Sequence, residues 1–479
     1  MPARRQFLQT AAALGASLAL PAVAAPAVRR EGRIEQLIPS EYRAALDPAS
    51  PVRTGVWSFN QQFPGPLLRY RRGDTARLAV SNQLPQETTV HWHGLRVPNG
   101  MDGVPGVTQV AIAPGGRFDY RFELRDSGTY WYHPHQASFE QVPRGLYGAL
   151  IVEEDKPPQV DQDVVWLLSD IKLDEQRQQV EDFGRILDIA NDGRRGNQLL
   201  VNGQVAGPER RIDVRSGERL RLRLINAASA RFFRLSIAGH AARIVAWDGQ
   251  GVTPHAVPEA GLTLGPGMRV DLIIDCMLKP GQRFELRDAG RPKTASMVLG
   301  VIAYSAQPPL RRAPLTSSIA VPPNPLPEPN LDKTSDHYII FQGGMRGTPV
   351  IGSIDGKASR IQDIMAREGL AWTMNYNAQH EHALMHEPLL HLSKGEHVVL
   401  HMMNETDFVH PMHLHGHFFR VLAVNGVANP LREWRDTVIM APRQSMDVAF
   451  VADNVGEWMY HCHILDHAAG GMMGTIIVE

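Results

Sequence analysis

The stretch HCHILDHAAGGMM, residues 461–473, gathers three histidines, two methionines and one of only two cysteines in a chain of 479 residues. In extended backbone, residues i and i+2 share a face, so His461 and His463 point one way and the Cys462 sulfur points the other. Three further His-x-His pairs occur: His91 and His93 in HWHG, His133 and His135 in HPH, and His413 and His415 in HLH. Paired imidazoles suit metal ligation. Eight neutral nitrogens exceed what one ion takes, so several ions are implied, and imidazole-rich sites suit copper, zinc, iron or nickel.

The residues of opposite parity form a second set. His410, three before His413, cannot join that pair, and Cys462 faces away from its flanking histidines. With His467, which follows a turn, they offer two imidazoles and a thiolate, with Met472 as a weak axial ligand. That donor set is the blue-copper arrangement for electron transfer. Given 20 His, 2 Cys and 17 Met, the pattern H-C-H-x3-H-x4-M arises by chance on the order of 10⁻⁵ to 10⁻⁶ times over the chain.

The elements that must carry these pairs show an internal repeat. LRYRRGDTARLAVSN (68–82), IDVRSGERLRLRLIN (212–226) and LHLSKGEHVVLHMMN (390–404) align without gaps. Each has a glycine (Gly73, Gly217, Gly395), then an acid (Asp74, Glu218, Glu396), and closes on asparagine (Asn82, Asn226, Asn404). Alternation such as Leu220, Leu222, Leu224 has the period of a half-buried strand. Nine residues after the asparagine stand His91 and His413; the middle copy has Leu235 there, and Ile237 two further on. GTYWYHPH (128–135) aligns with GEWMYHCH (456–463), so both outer copies end in a His-x-His pair. We expect an all-β chain of three copies of one domain, at 26–157, 158–304 and 336–479. A proline-dense linker spans 305–335, and the best helical candidate is RIQDIMAREGL, 360–370.

Composition narrows the alternatives. A formal net charge of −1 without long charge runs implies neither nucleic acid nor a membrane surface as partner. No apolar run in the mature chain is long enough to span a bilayer. Residues 1–25 read as a removable export signal: Arg4 and Arg5 precede an alanine-rich run, and AVAAPA offers a cleavage site after Ala24. The arginine pair before Gln6, Phe7 and Leu8 resembles a twin-arginine (Tat) signal, which implies the Tat export machinery as partner and a periplasmic or otherwise exported location; an N-terminal anchor is the alternative. Export favours a Cys276–Cys462 disulfide, unless Cys462 binds metal, which leaves Cys276 a buried strand residue.

The four histidine motifs resemble those of the multicopper oxidases, in the three-domain form that includes laccases and periplasmic copper oxidases. The resemblance covers nearly the whole mature chain and implies three cupredoxin-like Greek-key β-barrels holding four copper ions. By it, His410, Cys462, His467 and Met472 would bind type 1 copper, and His91 and His413 type 2 copper. His93, His133, His135, His415, His461 and His463 would bind the type 3 pair. Four single-electron oxidations would then reduce dioxygen to two waters.

Water formation needs protons, so acids near the cluster are expected. Asp102 sits where similar oxidases carry one. Ala468 occupies the position where several bacterial relatives have glutamate, and Asp466 is the expected substitute. Asp436, in EWRDTVIM, matches an aspartate that would hold a charge near the type 1 site. The reducing substrate is a small phenol or aromatic amine, or cuprous ion. HEHALMHEPLLHL and HMM favour the latter, through extra copper ligation by His380, His382, Met385 and His386. The lack of a long methionine-rich insert, and Phe408 where some cuprous oxidases have methionine, oppose it. His391 and His401 read as packed strand residues. The chain is expected to be a monomer. Non-enzymatic readings, an exported scaffold of this fold or a copper-storage protein, conflict with the complete ligand set. The two-domain nitrite reductases that share the fold differ in length and domain count.

Overall fold

The three aligned stretches fold alike, and the markers they share explain why. In a computed structural model, which describes residues 35–290, 295–347, 349–354, 356–380 and 388–479, each is a strand, a tight turn and a second strand: Leu68–Arg71 and Thr75–Ser81, Arg211–Val214 and Glu218–Asn226, Leu390–Leu392 and His397–Asn404. The turn glycines Gly73, Gly217 and Gly395 have φ of 86°, 91° and 84°, the left-handed region that side chains avoid. The acid that follows accepts from the backbone N–H three residues back: Asp74 from Arg71, Glu218 from Arg215, Glu396 from Ser393. Each closing asparagine is a buried clamp. Asn82 Nδ2 donates to Ile112 O, Asn226 Nδ2 to Leu264 O and Asn404 Nδ2 to Met440 O. Their Oδ1 atoms accept from the N–H two residues on, at Leu84, Ala228 and Thr406.

Topology repeats with the markers. The first strand of each unit pairs in parallel with a later one, at Gly148–Glu153, Met297–Tyr304 and Met473–Val478. The second pairs antiparallel with Arg117–Glu123, Arg269–Cys276 and Ser445–Val451. Among the described residues every ladder stays within 35–153, 162–304 or 334–478, and an apolar core centres on each stretch, around Trp92, Leu222 or Trp458, with Phe418 and Trp434 joining the first and Ile189 and Ala230 the last. The chain is all-β in class, and its helices are short.

Helix Ile361–Glu368 falls on the expected segment. The proline-dense segment is pinned rather than slack: Arg219 donates to Leu315 O and Ser317 O, and Asn324 Nδ2 donates to Ser127 O. Cys276 and Cys462 are free and buried, so the disulfide is not formed. Leu235 is core as expected, with Ile237 partly buried against it. The export signal, His382, Met385 and His386 lie outside the described residues. His380 faces Glu368 at 3.5 Å.

Candidate metal centres

Strand His410–Leu414 lies beside strand Gly456–Cys462, with Met412 opposite Cys462 and His413 opposite His461. This register sends His413 and His461 to one face and Cys462 to the other, where it packs in the core with Met472 and Met412. His467 arrives from the short helix Leu465–Ala469. Cys462 Sγ is 3.6 Å from His410 Nδ1 and 3.7 Å from His467 Nδ1, and the two nitrogens are 3.0 Å apart. His467 Nε2 donates to Asn191 O at 2.5 Å, and His410 Nε2 is hydrogen-bonded to Thr406 Oγ1 at 2.8 Å. Both Nδ1 atoms face each other and the sulfur, so the trio offers two nitrogens and one sulfur to a single shared point. A point equidistant from the three atoms lies about 2.0 Å from each, the length of a metal–nitrogen bond. Trp372, its ring 4.4 Å from that of His467 and 5.1 Å from that of His410, keeps the trio dry. Burial pushes the Cys462 thiol well up and the His467 imidazole down to about 4; a bound metal ion turns such a thiol into thiolate.

The eight paired histidines, all buried, converge on one space between the outer stretches. His135, His415 and His461 have ring centroids 5.0, 5.0 and 5.2 Å apart. His93, His133 and His463 stand at 5.8, 4.9 and 5.4 Å, and His91 and His413 at 6.1 Å. Five of the rings donate Nδ1–H outward: His91 to Asp102 O, His133 to Pro134 O, His413 to Asp436 O, His415 to Asp102 Oδ2 and His461 to Cys462 O. Their Nε2 atoms therefore face inward unprotonated. His415 Nε2 and His461 Nε2 are 3.1 Å apart, while the Nε2 atoms of His91, His133 and His413 have no partner. Orphaned buried nitrogens with outward Nδ1–H contacts are the pattern of ligating histidines. Burial, reinforced by neighbouring imidazoles, holds His133, His135, His415, His461 and His463 well below the ordinary histidine range, as neutral ligands require.

Of the three expected acids, the structure brings two to this group. Asp102 Oδ2 binds His415, and Oδ1, 3.3 Å from His91 Nδ1, has no hydrogen bond. Asp436 lies 3.5 Å from His93 Nε2 and 3.6 Å from His413 Nδ1, so its contacts are with the eight-histidine group and not with the His410–Cys462–His467 trio. Burial alone would raise its carboxyl, but Arg269 and His413 hold it well below the usual range. Asp466 does not replace an acid at position 468. Two residues along a helix point about 200° apart; Ala468 packs on Val104 and Met473, whereas Asp466 accepts from Arg194 N–H at 2.8 Å. There burial pushes it up to about 6.

Residues that orient the ligands were missed by sequence reasoning. Asn191 acts through its carbonyl, which any residue supplies, and Arg269 arrives from the stretch that carries no ligand. Thr437, which contacts both His93 and His413, follows a flagged aspartate and carried the only local signal.

Family models described as multicopper oxidase match residues 43–157, 162–306 and 354–479. Over 460 residues the chain is 30% identical to the multicopper oxidase MmcO of Mycobacterium tuberculosis, covering 90% of this chain and 84% of that one. The chain belongs to the multicopper oxidases. This multicopper oxidase is also 28% identical over 545 residues to a copper resistance protein A homologue of Pseudomonas syringae pv. tomato, covering 89% and 90%. Among solved structures it is similar to a multi-copper oxidase from Pseudomonas thermotolerans, with a TM-score of 0.81, 31% identity and coverage of 93% and 99%. Lac15 from a marine microbial metagenome has a TM-score of 0.71, 31% identity and coverage of 93% and 100%. The protein is therefore a copper-dependent oxidoreductase using dioxygen and a reducing substrate, and the scaffold and storage readings fall.

Proposed function

We propose that the protein holds four copper ions and couples four one-electron oxidations of a small donor to reduction of dioxygen to two waters. His410, Cys462, His467 and Met472 hold the type 1 ion, His91 and His413 the type 2 ion, and the remaining six histidines the type 3 pair. Ligand atoms of His135, His415 and His461 lie within 4.8 Å of one another, as do those of His91, His413 and His415, which supports one type 3 trio and the type 2 pair. Copper there supplies single-electron acceptance at the trio and multi-electron oxygen reduction at the group. The observation that carries the reading is Cys462 between His461 and His463, which joins the two sets by a few covalent bonds.

The remaining roles belong to the chain. Asp102 Oδ1, buried without a hydrogen bond, is the atom available to carry a proton to the developing water. Asn191 and Thr406 hold the trio's imidazoles with Nδ1 inward. A small phenol or aromatic amine gives its electron at the Asn191 edge, next to His467. One observation favours cuprous ion as donor: Met345 is half exposed with Sδ 3.2 Å from Asn191 Nδ2, a soft ligand at the same edge. The name of the copper resistance relative supports the same reading. The mature chain is exported through the twin-arginine pathway to the periplasm and works as a monomer.

Oxygen uptake by the copper-loaded protein, with cuprous ion and a methoxyphenol in one buffer, tests this. Fast uptake with the phenol makes it a laccase, and fast uptake with cuprous ion makes it a copper-detoxifying oxidase. No uptake with either, at full copper loading, contradicts the proposal.

A further inference from the structure

The middle stretch holds no ligand, yet its turn Gly265–Arg269 forms a wall of the eight-histidine group. A Cβ on Gly267 would stand 2.7 Å from His463 Cδ2. From this turn the fully buried Arg269 reaches into the third stretch, where Nη1 and Nη2 donate to the two carboxylate oxygens of Asp436 at 2.8 and 2.6 Å. Its Nε donates to Thr129 O at 3.1 Å and Nη2 also to Asp248 O at 2.9 Å, so all three stretches meet at one guanidinium. The glycine of HWHG fits this arrangement: a Cβ on Gly94 would lie 2.2 Å from Arg269 Nη2 and 2.7 Å from Asp436 Oδ2. That glycine therefore leaves room for a charge pair contributed by two other stretches.

Of the eight imidazoles, His135 and His463 have neither ring nitrogen hydrogen-bonded, and His93 alone turns Nε2 to an outward partner. Five others turn Nδ1 outward, but His93 turns Nε2 toward Thr437 Oγ1 at 3.3 Å and Asp436 Oδ1 at 3.5 Å, leaving Nδ1 buried and without a partner. Thr437 Oγ1 also donates to Asp436 Oδ1 at 2.8 Å, and Asp436 O accepts from His413 Nδ1. A displaced Asp436 thus disturbs two ligands at once. We infer that Arg269 is a positioning residue for the copper cluster: by clamping Asp436 at two points it fixes His93 with Nδ1, and not Nε2, toward the shared space. The inference rests on the copper reading above. The clamp depends on the planar guanidinium, because an ammonium is a point charge that cannot fix the rotation of a carboxylate.

The test compares the full-length, copper-loaded protein with Arg269→Met, Arg269→Lys and Asp436→Asn. Copper per chain, copper retention against a competing chelator, the blue absorption of the Cys462 centre and the electron paramagnetic resonance spectrum are read together. In Arg269→Met we expect the blue absorption to persist while cluster copper is lost about 10–100-fold more readily. Arg269→Lys should recover only part of that retention, and Asp436→Asn should reproduce the Met variant. Retention and spectrum unchanged in a folded Arg269→Met would overturn the inference. Equal loss at both centres would overturn it as well, by making Arg269 only a clamp between domains. If Arg269→Met does not fold, Asp436→Asn decides by the same readouts. A wild-type protein that takes up no cluster copper would instead defeat the copper reading itself.

Discussion

The outer stretches and the middle one share a fold and differ in chemistry. All three carry the glycine turn, the acid that closes it and the asparagine clamp, yet nine residues beyond the clamp the outer copies have His91 and His413 where the middle copy has Leu235. At that position the outer copies place a buried imidazole on a strand where the middle copy has a core leucine. The reverse trade appears elsewhere in the repeat. At one shared position the three copies have Ala79, Arg223 and His401; in the middle copy that residue is a buried arginine bonded to Asp163, Asp271 and Thr129. The middle domain carries buried charge at its borders with the others, and Arg269 is the member of that set that binds Asp436 beside the eight histidines.

Removing copper should break the comparison most strongly. Eight inward-facing imidazoles lose the ions they share, and a site loaded 1,000-fold above its Kd contributes about 4 kcal/mol to stability. Amide hydrogen exchange on apo and loaded protein should show faster exchange in His91–His93, His410–Leu414 and Gly456–Cys462, with the middle strand Glu218–Asn226 unchanged. Uniform loosening of all three would mean the copies are not independent. The asparagine clamp should matter equally everywhere: Asn82→Ala, Asn226→Ala and Asn404→Ala each remove a buried side chain's hydrogen bonds and should cost about 2–3 kcal/mol in denaturant unfolding. A loss confined to one copy would deny the shared role.

Met472→Leu should raise the potential of the Cys462 centre by about 60 mV or more, since a thioether ligand lowers it, with cluster copper still bound. An unchanged potential in redox titration would point to Met473, or to no axial ligand. The smallest effect is at His401. Burial opposes its proton, but Asp447 and Asp336 raise it above the ordinary histidine value. Its stabilisation is therefore complete below about pH 6.5, the unfolded value, and is lost as pH rises through the higher folded value. Asp447→Asn should lower stability by under 1 kcal/mol at pH 6 and leave it unchanged at high pH, read by thermal melts.

The donor atoms were legible because strand parity converts sequence spacing into direction: His461 and His463 to one face, Cys462 to the other, with no tertiary knowledge required. The repeat was legible because Gly73, Asp74 and Asn82 do local jobs that recur at fixed spacing. What orients the ligands was not. Asn191 serves through a backbone carbonyl 276 residues from His467, and Arg269 looks in sequence like any charge beside a strand. Asp466 misled because proximity in sequence to His467 says nothing of direction on a helix. Asp436 was expected beside the His410–Cys462–His467 centre, but its contacts are with His93 and His413.

The central claim is that electrons leave the His410–Cys462–His467 centre through Cys462 to the histidines on either side of it. Cys462→Ser tests it most directly, with copper content, blue absorption and oxygen uptake measured on one preparation. The account predicts a folded protein that keeps copper in the eight-histidine group and loses the blue absorption and steady-state turnover together. Undiminished oxygen uptake in that variant would contradict it.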